Sequence, residues 1–240
     1  MGFLLLFVSL FVNGDGMPKE KGSPSAADAN EMNFSKQEKK FVKNYIRNNR
    51  RKLYAIKQRS RSPFAITDSI FSKYGLPVQL KYLAVIESEL KAKAVSRVGA
   101  VGPWQLMPET AKILGLKISH SSDERTQYYK STRAAAKYLR DLHGEFGDWL
   151  LVLAAYNGGP GAVYHAMRMS GSRNFWDLQS YLPAESRMHV KKFIASLYYF
   201  EGQESVTAFT RTGPVPFQMV REPRDPWNNW LPVAKRSLYL

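Results

Sequence analysis

Cysteine is absent from the 240 residues of this chain. Its absence excludes disulfide bonds, thiolate zinc sites, a thiol nucleophile and a lipid-modified N-terminal cysteine. Stability must therefore come from packing. The composition allows this, because 44% of the residues are hydrophobic and 13% are aromatic. We expect one folded domain with tails.

No apolar run is long enough to span a bilayer. Residues 3–12 are apolar, and a run of this length is typical of the hydrophobic region of a signal peptide. No Lys or Arg precedes the run and no small-x-small cleavage motif follows it, so an uncleaved anchor or a misplaced start codon remains an alternative. We expect residues 1–16 to be a signal peptide or anchor, residues 17–34 to be a linker, and the protein to be exported to the periplasm or cell envelope.

Acidic residues are scarce, with 20 Asp and Glu against 35 Lys and Arg, a net charge of +15. This excess suggests a polyanionic partner: nucleic acid, anionic lipid or an acidic wall polymer. Residues 36–61 carry +10 of it, with Glu38 as their single acid. Nucleic acid is disfavoured, because no recognised nucleic-acid-binding module is present.

The basic stretch is itself predicted to be helical. Ser35 and Glu38 fit a capping box, and an apolar stripe follows at Phe41, Val42, Tyr45 and Ile46. We expect residues 35–61 to pack on the domain through this stripe. The charged face either binds a polyanion or is simply solvated.

Helical signals dominate the remainder. Residues 131–143 are Ala-rich and periodic, and alternating strand patterns are nearly missing outside residues 95–101. Three helices are expected to start at prolines: Pro77, Pro108 and Pro160. We predict a mainly α domain over residues 62–202. Residues 203–240, polar and punctuated by proline, are predicted to be an extended tail.

Glu87 lies at the end of the apolar segment 76–86. At helical spacing it shares a face with Leu80, Leu83 and Ala84. Burial disfavours the charged form of a carboxylic acid, and an acid that keeps its proton near neutral pH is what cleavage of a glycosidic bond requires. The alternative is a helix-end acid that reaches water. Glu89 continues a second apolar row, so spacing alone does not choose between the two acids.

Two further segments offer binding groups. Residues 96–108 combine glycines with Trp104, Gln105 and Met107, a flat apolar wall and an amide that suit sugar rings. Side chains such as Trp104 and Met107 are, however, more often core residues than a sugar platform. In residues 148–161 an apolar helix ends near Tyr156 and Asn157, which places a hydroxyl and an amide at a helix end, unless Asn157 is only a helix cap.

Together these segments resemble the family 1 lytic transglycosylases of glycoside hydrolase group 23. Their motifs E-S, G-x-x-Q-x-M and A-Y-N match Glu87-Ser88, residues 102–107 and Ala155-Tyr156-Asn157 in order and spacing. The membrane-bound lytic murein transglycosylase D branch is similar through further short motifs: Gly75-Leu76-Pro77, Gly147-Asp148-Trp149 and Leu182-Pro183-Ala184-Glu185-Ser186. The resemblance covers roughly residues 60–200 and favours Glu87 over Glu89.

The resemblance implies a lysozyme-like fold that cleaves the β-1,4 bond between N-acetylmuramic acid and N-acetylglucosamine of peptidoglycan strands. Glu87 would act alone, first as general acid and then as base, and would yield a 1,6-anhydro product. No cofactor or metal is expected, and a monomer is favoured. The implied substrate-binding residues are Ser88, Gln105, Met107, Tyr156, Asn157 and His189.

His189 departs from the family pattern. The branch usually has tyrosine at this position, close to the catalytic acid. Histidine can carry charge near neutral pH, so the environment of Glu87 is expected to differ. No C-terminal LysM module is visible, which leaves the basic segment to hold an anionic wall or membrane surface.

Two other functions share this sequence pattern. A hydrolytic goose-type lysozyme would need a second carboxylate to activate water, and Glu89 is the acid adjacent in sequence. A catalytically silent peptidoglycan-binding module would be expected to lack the acid, yet Glu87 is present.

Overall fold

The computed structural model describes residues 35–211. Within this range the chain folds into nine α-helices, and extended backbone is paired only at isolated bridges, one of which joins Val95 to Val101. The expected mainly α class is confirmed. The helices are α1 Lys36–Arg59, α2 Arg61–Lys73, α3 Tyr82–Ser88, α4 Pro108–Ile113, α5 Tyr128–Phe146, α6 Trp149–Ser170, α7 Phe175–Leu178, α8 Ala184–Glu201 and α9 Gln203–Arg211.

Helix α1 begins at the predicted capping box. The Ser35 hydroxyl accepts from the Glu38 amide at 3.3 Å, and the Glu38 carboxylate accepts from the Ser35 amide at 2.9 Å. Its buried residues are Leu53 and Ile56, beyond the predicted stripe, whose members are half-buried. Through this apolar side α1 packs against α8.

Helix α3 carries Glu87 and is almost entirely buried. Pro77 precedes a 3₁₀ turn, Val78–Lys81, and the α-helix starts only at Tyr82. Leu83 and Ala84 are fully buried, as is Leu80 in the 3₁₀ turn. The helix that contains Glu87 is therefore shorter than the apolar segment that predicted it.

Helix α6 is interrupted in its middle. Gly159 has φ 79° and ψ 155°, which is non-helical, and Pro160 follows in the first turn of the second half. Glycine tolerates this positive φ, and proline tolerates a first turn because its missing N–H has no helical acceptor there. Tyr156 and Asn157 consequently lie near the end of the first half, at the predicted helix end.

Helix α8 is the hub of the packing. It lies against α1, α3, α6 and α9. Its buried side chains include Phe193, which is fully inaccessible, as is Trp104 in the loop before α4. Since α8 contacts both α1 and α3, it fixes the basic helix relative to Glu87.

Residues 203–211 differ from the extended tail expected there. They form helix α9, in which Val206 and Phe209 are buried. The two side chains are three residues apart and share one helix face, and the Phe209 ring lies 5.1 Å from that of Phe193. This burial outweighs the polar composition around them. Residues 212–240 of the expected tail lie outside the described residues, as do the predicted export segment 1–16 and the linker 17–34.

Within residues 35–211, no helix has the length and apolar character needed to cross a membrane.

Candidate active site

Glu87 and His189 form a direct contact between α3 and α8. The Glu87 Oε1 atom lies 2.8 Å from His189 Nε2, and the two side chains are 15% and 9% exposed. The helix pairing of α3 with α8 brings together two residues that are 102 positions apart in sequence. The site therefore contains a largely buried acid bonded to an imidazole.

The second nitrogen of His189 limits the protonation states that suit this geometry. Nδ1 is buried and bonds to no group in residues 35–211. An imidazolium, or a neutral ring with its proton on Nδ1, would bury an N–H without an acceptor, which is unfavourable. The geometry therefore favours a neutral ring that donates its Nε2 proton to Glu87.

Glu89 occupies a different environment. It caps α3 in a left-handed conformation, φ 56°, and its side chain turns to α1. Its carboxylate pairs with Lys52 at 3.1 Å, Lys91 at 2.9 Å and Arg59 at 3.7 Å. Partial burial raises the pKa of Glu89, but the hydrogen bonds from Lys91 and Lys52 outweigh it and hold the pKa below the ordinary value.

Ser88 joins α3 to the glycine-containing loop. Its hydroxyl lies 2.8 Å from the Pro103 carbonyl, to which it donates, and Ser88 is only 6% exposed. In that loop Gln105 has φ 47°, and its side-chain amide donates to the Gly102 carbonyl at 2.9 Å. The first two motifs are thus linked by hydrogen bonds.

The side chain of Arg125 also bonds to this loop, a role that the sequence did not predict. This buried guanidinium donates to the carbonyls of Gly99 and Leu106, each at 3.0 Å, and pairs with Asp123 at 2.7 Å. A Cβ on Gly102 would collide with the Arg125 carbonyl. Gly102 therefore permits a close backbone approach that no other residue allows. No sequence pattern near Arg125 indicated the role, since its partners lie about 20 residues away.

Tyr156 bonds to the same loop from helix α6. Its hydroxyl donates to the Trp104 carbonyl at 2.7 Å. Burial raises its pKa well above the ordinary value, and the nearby charges of Glu87 and Tyr138 raise it further. Tyr156 is therefore a neutral hydrogen-bond donor near Glu87. Trp104 itself is a core residue, as the alternative interpretation held.

Asn157 connects the third motif to α8. Its Oδ1 accepts from the Ser186 hydroxyl at 3.0 Å, and a Cβ on Gly158 would collide with that hydroxyl. Ser186 lies three residues before His189, on the same side of α8. This link sets the position of the helix that contacts Glu87.

A cleft of about 370 Å³ opens beside Glu87, within the size range of ligand sites. Glu87, Ser88 and Gln105 line it, together with α1 residues that include Tyr45 and Lys52. The remaining predicted residues are not among its lining in the described chain. Of these, Met107 is 39% exposed at the end of the loop. The other three contact groups around the cleft: Tyr156 bonds to the Trp104 carbonyl, Asn157 to the Ser186 hydroxyl and His189 to Glu87.

Comparison with known proteins assigns the class. Residues 69–179 match the family model described as "Transglycosylase SLT domain". The match confirms the resemblance to the family 1 lytic transglycosylases that the motifs indicate. The matched region contains α3, the loop and all of α6, but neither α1 nor His189.

Particular relatives agree. The membrane-bound lytic murein transglycosylase D of Escherichia coli K12 is 38% identical over 128 residues, which cover 51% of this chain and 28% of that protein. The peptidoglycan transglycosylase gp16 of Escherichia phage T7 is 39% identical over 86 residues, 35% of this chain and 6% of that protein. The chain thus spans less than a third of the length of either relative.

A solved structure supports the lysozyme-like helical fold. The 70 kDa soluble lytic transglycosylase of Escherichia coli superposes with a TM-score of 0.50 at 26% identity, over 58% of this chain and 25% of that one.

Proposed function

We propose that this protein is a peptidoglycan lytic transglycosylase. It cleaves the β-1,4 bond between N-acetylmuramic acid and N-acetylglucosamine and leaves a 1,6-anhydromuramic acid end. The observation that carries the proposal is Glu87 itself: a largely buried carboxyl group on the cleft, bonded to His189 rather than to Lys or Arg.

Glu87 acts twice in the proposed reaction. It first donates its proton to the glycosidic oxygen, so that the bond from C1 to the leaving sugar breaks. It then takes the proton from the C6 hydroxyl of the muramic acid as that oxygen bonds to C1. Atoms balance without water, and Glu87 ends protonated, ready for another turnover.

His189 supports both steps as a positioning residue. Its Nε2–H bonds to Oε1, which leaves Oε2 of Glu87 to carry the transferable proton. The same bond stabilises the carboxylate that exists between the two steps. The carboxylate orientation is thereby set by α8.

The environment of Glu89 argues for this chemistry over hydrolysis. Glycosidases that use water usually employ two carboxylates, the second as base or nucleophile. The carboxylates that line the cleft are those of Glu87 and Glu89, and Glu89 is bound by three cations that lower its basicity. A goose-type lysozyme would have to use this ion-paired Glu89 carboxylate as its second catalytic group.

We further propose contacts to the sugar. Gln105 lines the cleft and offers its side-chain carbonyl oxygen, because its NH2 group already donates to the Gly102 and Ala94 carbonyls. Exposed Met107 extends the apolar rim. Tyr156 orients the loop, and Asn157 orients α8. The Ser88 hydroxyl is already bonded to the Pro103 carbonyl, so we propose that Ser88 positions the loop that contacts the sugar. The relatives are named for murein, which supports our proposal that the protein acts on peptidoglycan in the cell envelope.

Product analysis tests the proposal. Purified sacculi are digested in ¹⁸O-labelled water, and the released muropeptides are analysed by mass spectrometry. The expected products end in 1,6-anhydromuramic acid and contain no ¹⁸O. Reducing ends that carry ¹⁸O would instead identify a lysozyme, and binding without release would identify a silent module.

A further inference from the structure

We propose that Lys52 and Lys91 form a carboxylate-binding subsite on the cleft wall, which selects glycan strands whose peptide stems carry free carboxylates. The inference deepens the proposed function and rests on it. Neither cation belongs to the three motifs, and Lys52 lies on α1, outside the region that matches the SLT family.

The two lysines belong to a cluster with an excess of positive charge. Lys52 and Lys91 contact opposite oxygens of Glu89, Oε1 at 3.1 Å and Oε2 at 2.9 Å. Arg59 approaches the same carboxylate at 3.7 Å and donates to the Glu89 backbone carbonyl at 2.9 Å. One carboxylate thus faces three cations, which leaves a local excess of two positive charges.

The lysines retain capacity for a ligand. Their side chains are 51% and 60% exposed, whereas that of Glu89 is 29% exposed. Each ammonium has three N–H donors, and the contact with Glu89 uses one of them. Glu89 therefore holds the two ammonium groups close together while most of their donors remain available to a second anion.

The backbone places this cluster beside the acid. Glu89 and Leu90 both have positive φ, 56° and 63°, which is uncommon for residues other than glycine and is unfavourable. The turn directs Glu89 to α1 immediately after Glu87 has faced α8. Lys52, Lys91 and Glu87 consequently line the same cleft.

The chemistry of the proposed substrate identifies the anion. In a stem-bearing strand the N-acetyl and hydroxyl groups of the sugar rings are uncharged, and the lactyl carboxyl of each N-acetylmuramic acid is held in the amide bond to its stem. The ionised carboxylates belong to the peptide stems on the muramic residues. A pair of cations a few residues from the catalytic acid therefore fits a stem attached next to the bond that is cleaved.

The test compares two soluble substrates made from one preparation of glycan strands. One retains its stems. The other has had them removed with an amidase, and the lactyl carboxylates that this exposes have been converted to methylamides. The measured quantity is the ratio of kcat/KM on stem-bearing strands to kcat/KM on stem-free strands. We expect a ratio well above one for the wild type, falling about fivefold or more in the double variant Lys52→Gln/Lys91→Gln.

Two controls isolate the subsite. Lys73→Gln/Lys112→Gln removes the same charge from exposed positions of α2 and α4 that do not line the cleft, and it should keep the wild-type ratio. Lys52→Arg/Lys91→Arg keeps both positive charges on the cleft wall and should keep the preference for stems. Circular dichroism and thermal unfolding confirm that each variant is folded.

The outcomes separate the two proposals. A ratio near one in the wild type, or an unchanged ratio in Lys52→Gln/Lys91→Gln, overturns the subsite while transglycosylation stands. If the wild type turns over neither substrate, the proposed function fails. Equilibrium binding of the two strand preparations then decides the subsite by the same ratio and the same variants.

Discussion

At the residue scale, the main feature is that Glu87 and Glu89 differ in their partners although they are two positions apart. Glu87 bonds to the imidazole of His189, and Glu89 bonds to Lys52, Lys91 and Arg59. The first environment suits a group that gives and takes a proton. The second suits a permanent anion that organises cations around it.

Exchange of each acid for its amide separates these roles. Glu87→Gln should abolish turnover, a loss of at least about a hundredfold, because no proton can be donated. Glu89→Gln should retain substantial activity. The measurement is muropeptide release from sacculi, with sacculus binding and circular dichroism as controls for folding. Equal losses in the two variants would contradict the assignment of a lone acid.

The Nε2–H of His189 can also be tested by substitution. His189→Phe removes the donor to Glu87 while filling similar volume, and kcat should fall about ten- to a hundredfold, the worth of a hydrogen bond to a charged group. His189→Gln or His189→Tyr restores a donor and should recover much of the loss.

A pH-rate profile distinguishes this role from a charged one. If an imidazolium governs activity, His189→Tyr should extend activity to lower pH. If the neutral donor favoured by the buried Nδ1 governs it, the two profiles should have the same acidic limb. Full activity of His189→Phe would reduce His189 to a packing residue.

At the element scale, the junction of α5 and α6 contains a buried histidine with no catalytic role. His143 stacks on Trp149 with ring centroids 4.0 Å apart, and its Nε2 bonds to no group in the described part of the chain. Burial lowers the pKa of His143 below its ordinary value of 6.5. The folded protein therefore binds this proton less readily than the unfolded chain does.

The sign of the resulting pH effect follows from linkage. Because the unfolded state takes up the proton more readily, stability is fully present above about pH 6.5 and declines as the pH falls through that value towards the lower folded pKa. His143→Phe removes this titration and should reduce the fall in melting temperature between pH 7.5 and pH 5. The exposed His165→Gln is the control, and it should behave as the wild type does. An undiminished acid sensitivity in His143→Phe would show that another group is responsible.

The helices also differ in how well the local sequence predicts them. The start of α1 was predictable because its capping box lies within four residues, and the break before Pro160 because glycine and proline restrict the backbone locally. Helix α9 was missed because its stability comes from Val206 and Phe209 packing on α6 and α8, a contact that composition does not reveal.

At the scale of the whole molecule, the charge of α1 is the dominant asymmetry. Residues 36–61 contain eleven Lys and Arg against one acid. Lys52 and Arg59 form ion pairs with Glu89. The cations nearer the start of the helix are exposed, among them Lys39, Lys40 and Lys43. The exposed part is a candidate surface for anionic wall or membrane polymers.

Charge reversal tests this surface. Changing Lys39, Lys40, Lys43 and Arg47 to Glu should weaken pelleting with sacculi at low salt, and the difference from the wild type should shrink as salt screens the charges. The reaction itself should be unaffected, so the products should still carry the 1,6-anhydro end. The matched control reverses four exposed cations elsewhere: Lys73, Lys112, Lys117 and Arg168. Equal pelleting by both variants would favour a plain solvated face.

The sequence by itself determined the helical class, the order of the motifs and the candidate acid. Apolar periodicity, caps and prolines act between residues a few positions apart, so they can be read without coordinates. The tertiary structure decided which acid bonds to an imidazole and which to cations, because the Glu87 to His189 contact spans 102 residues and the Glu89 to Arg59 contact spans 30. It also placed α1 along the cleft, since only the packing of α1 on α8 determines which of its many cations lie beside Glu87.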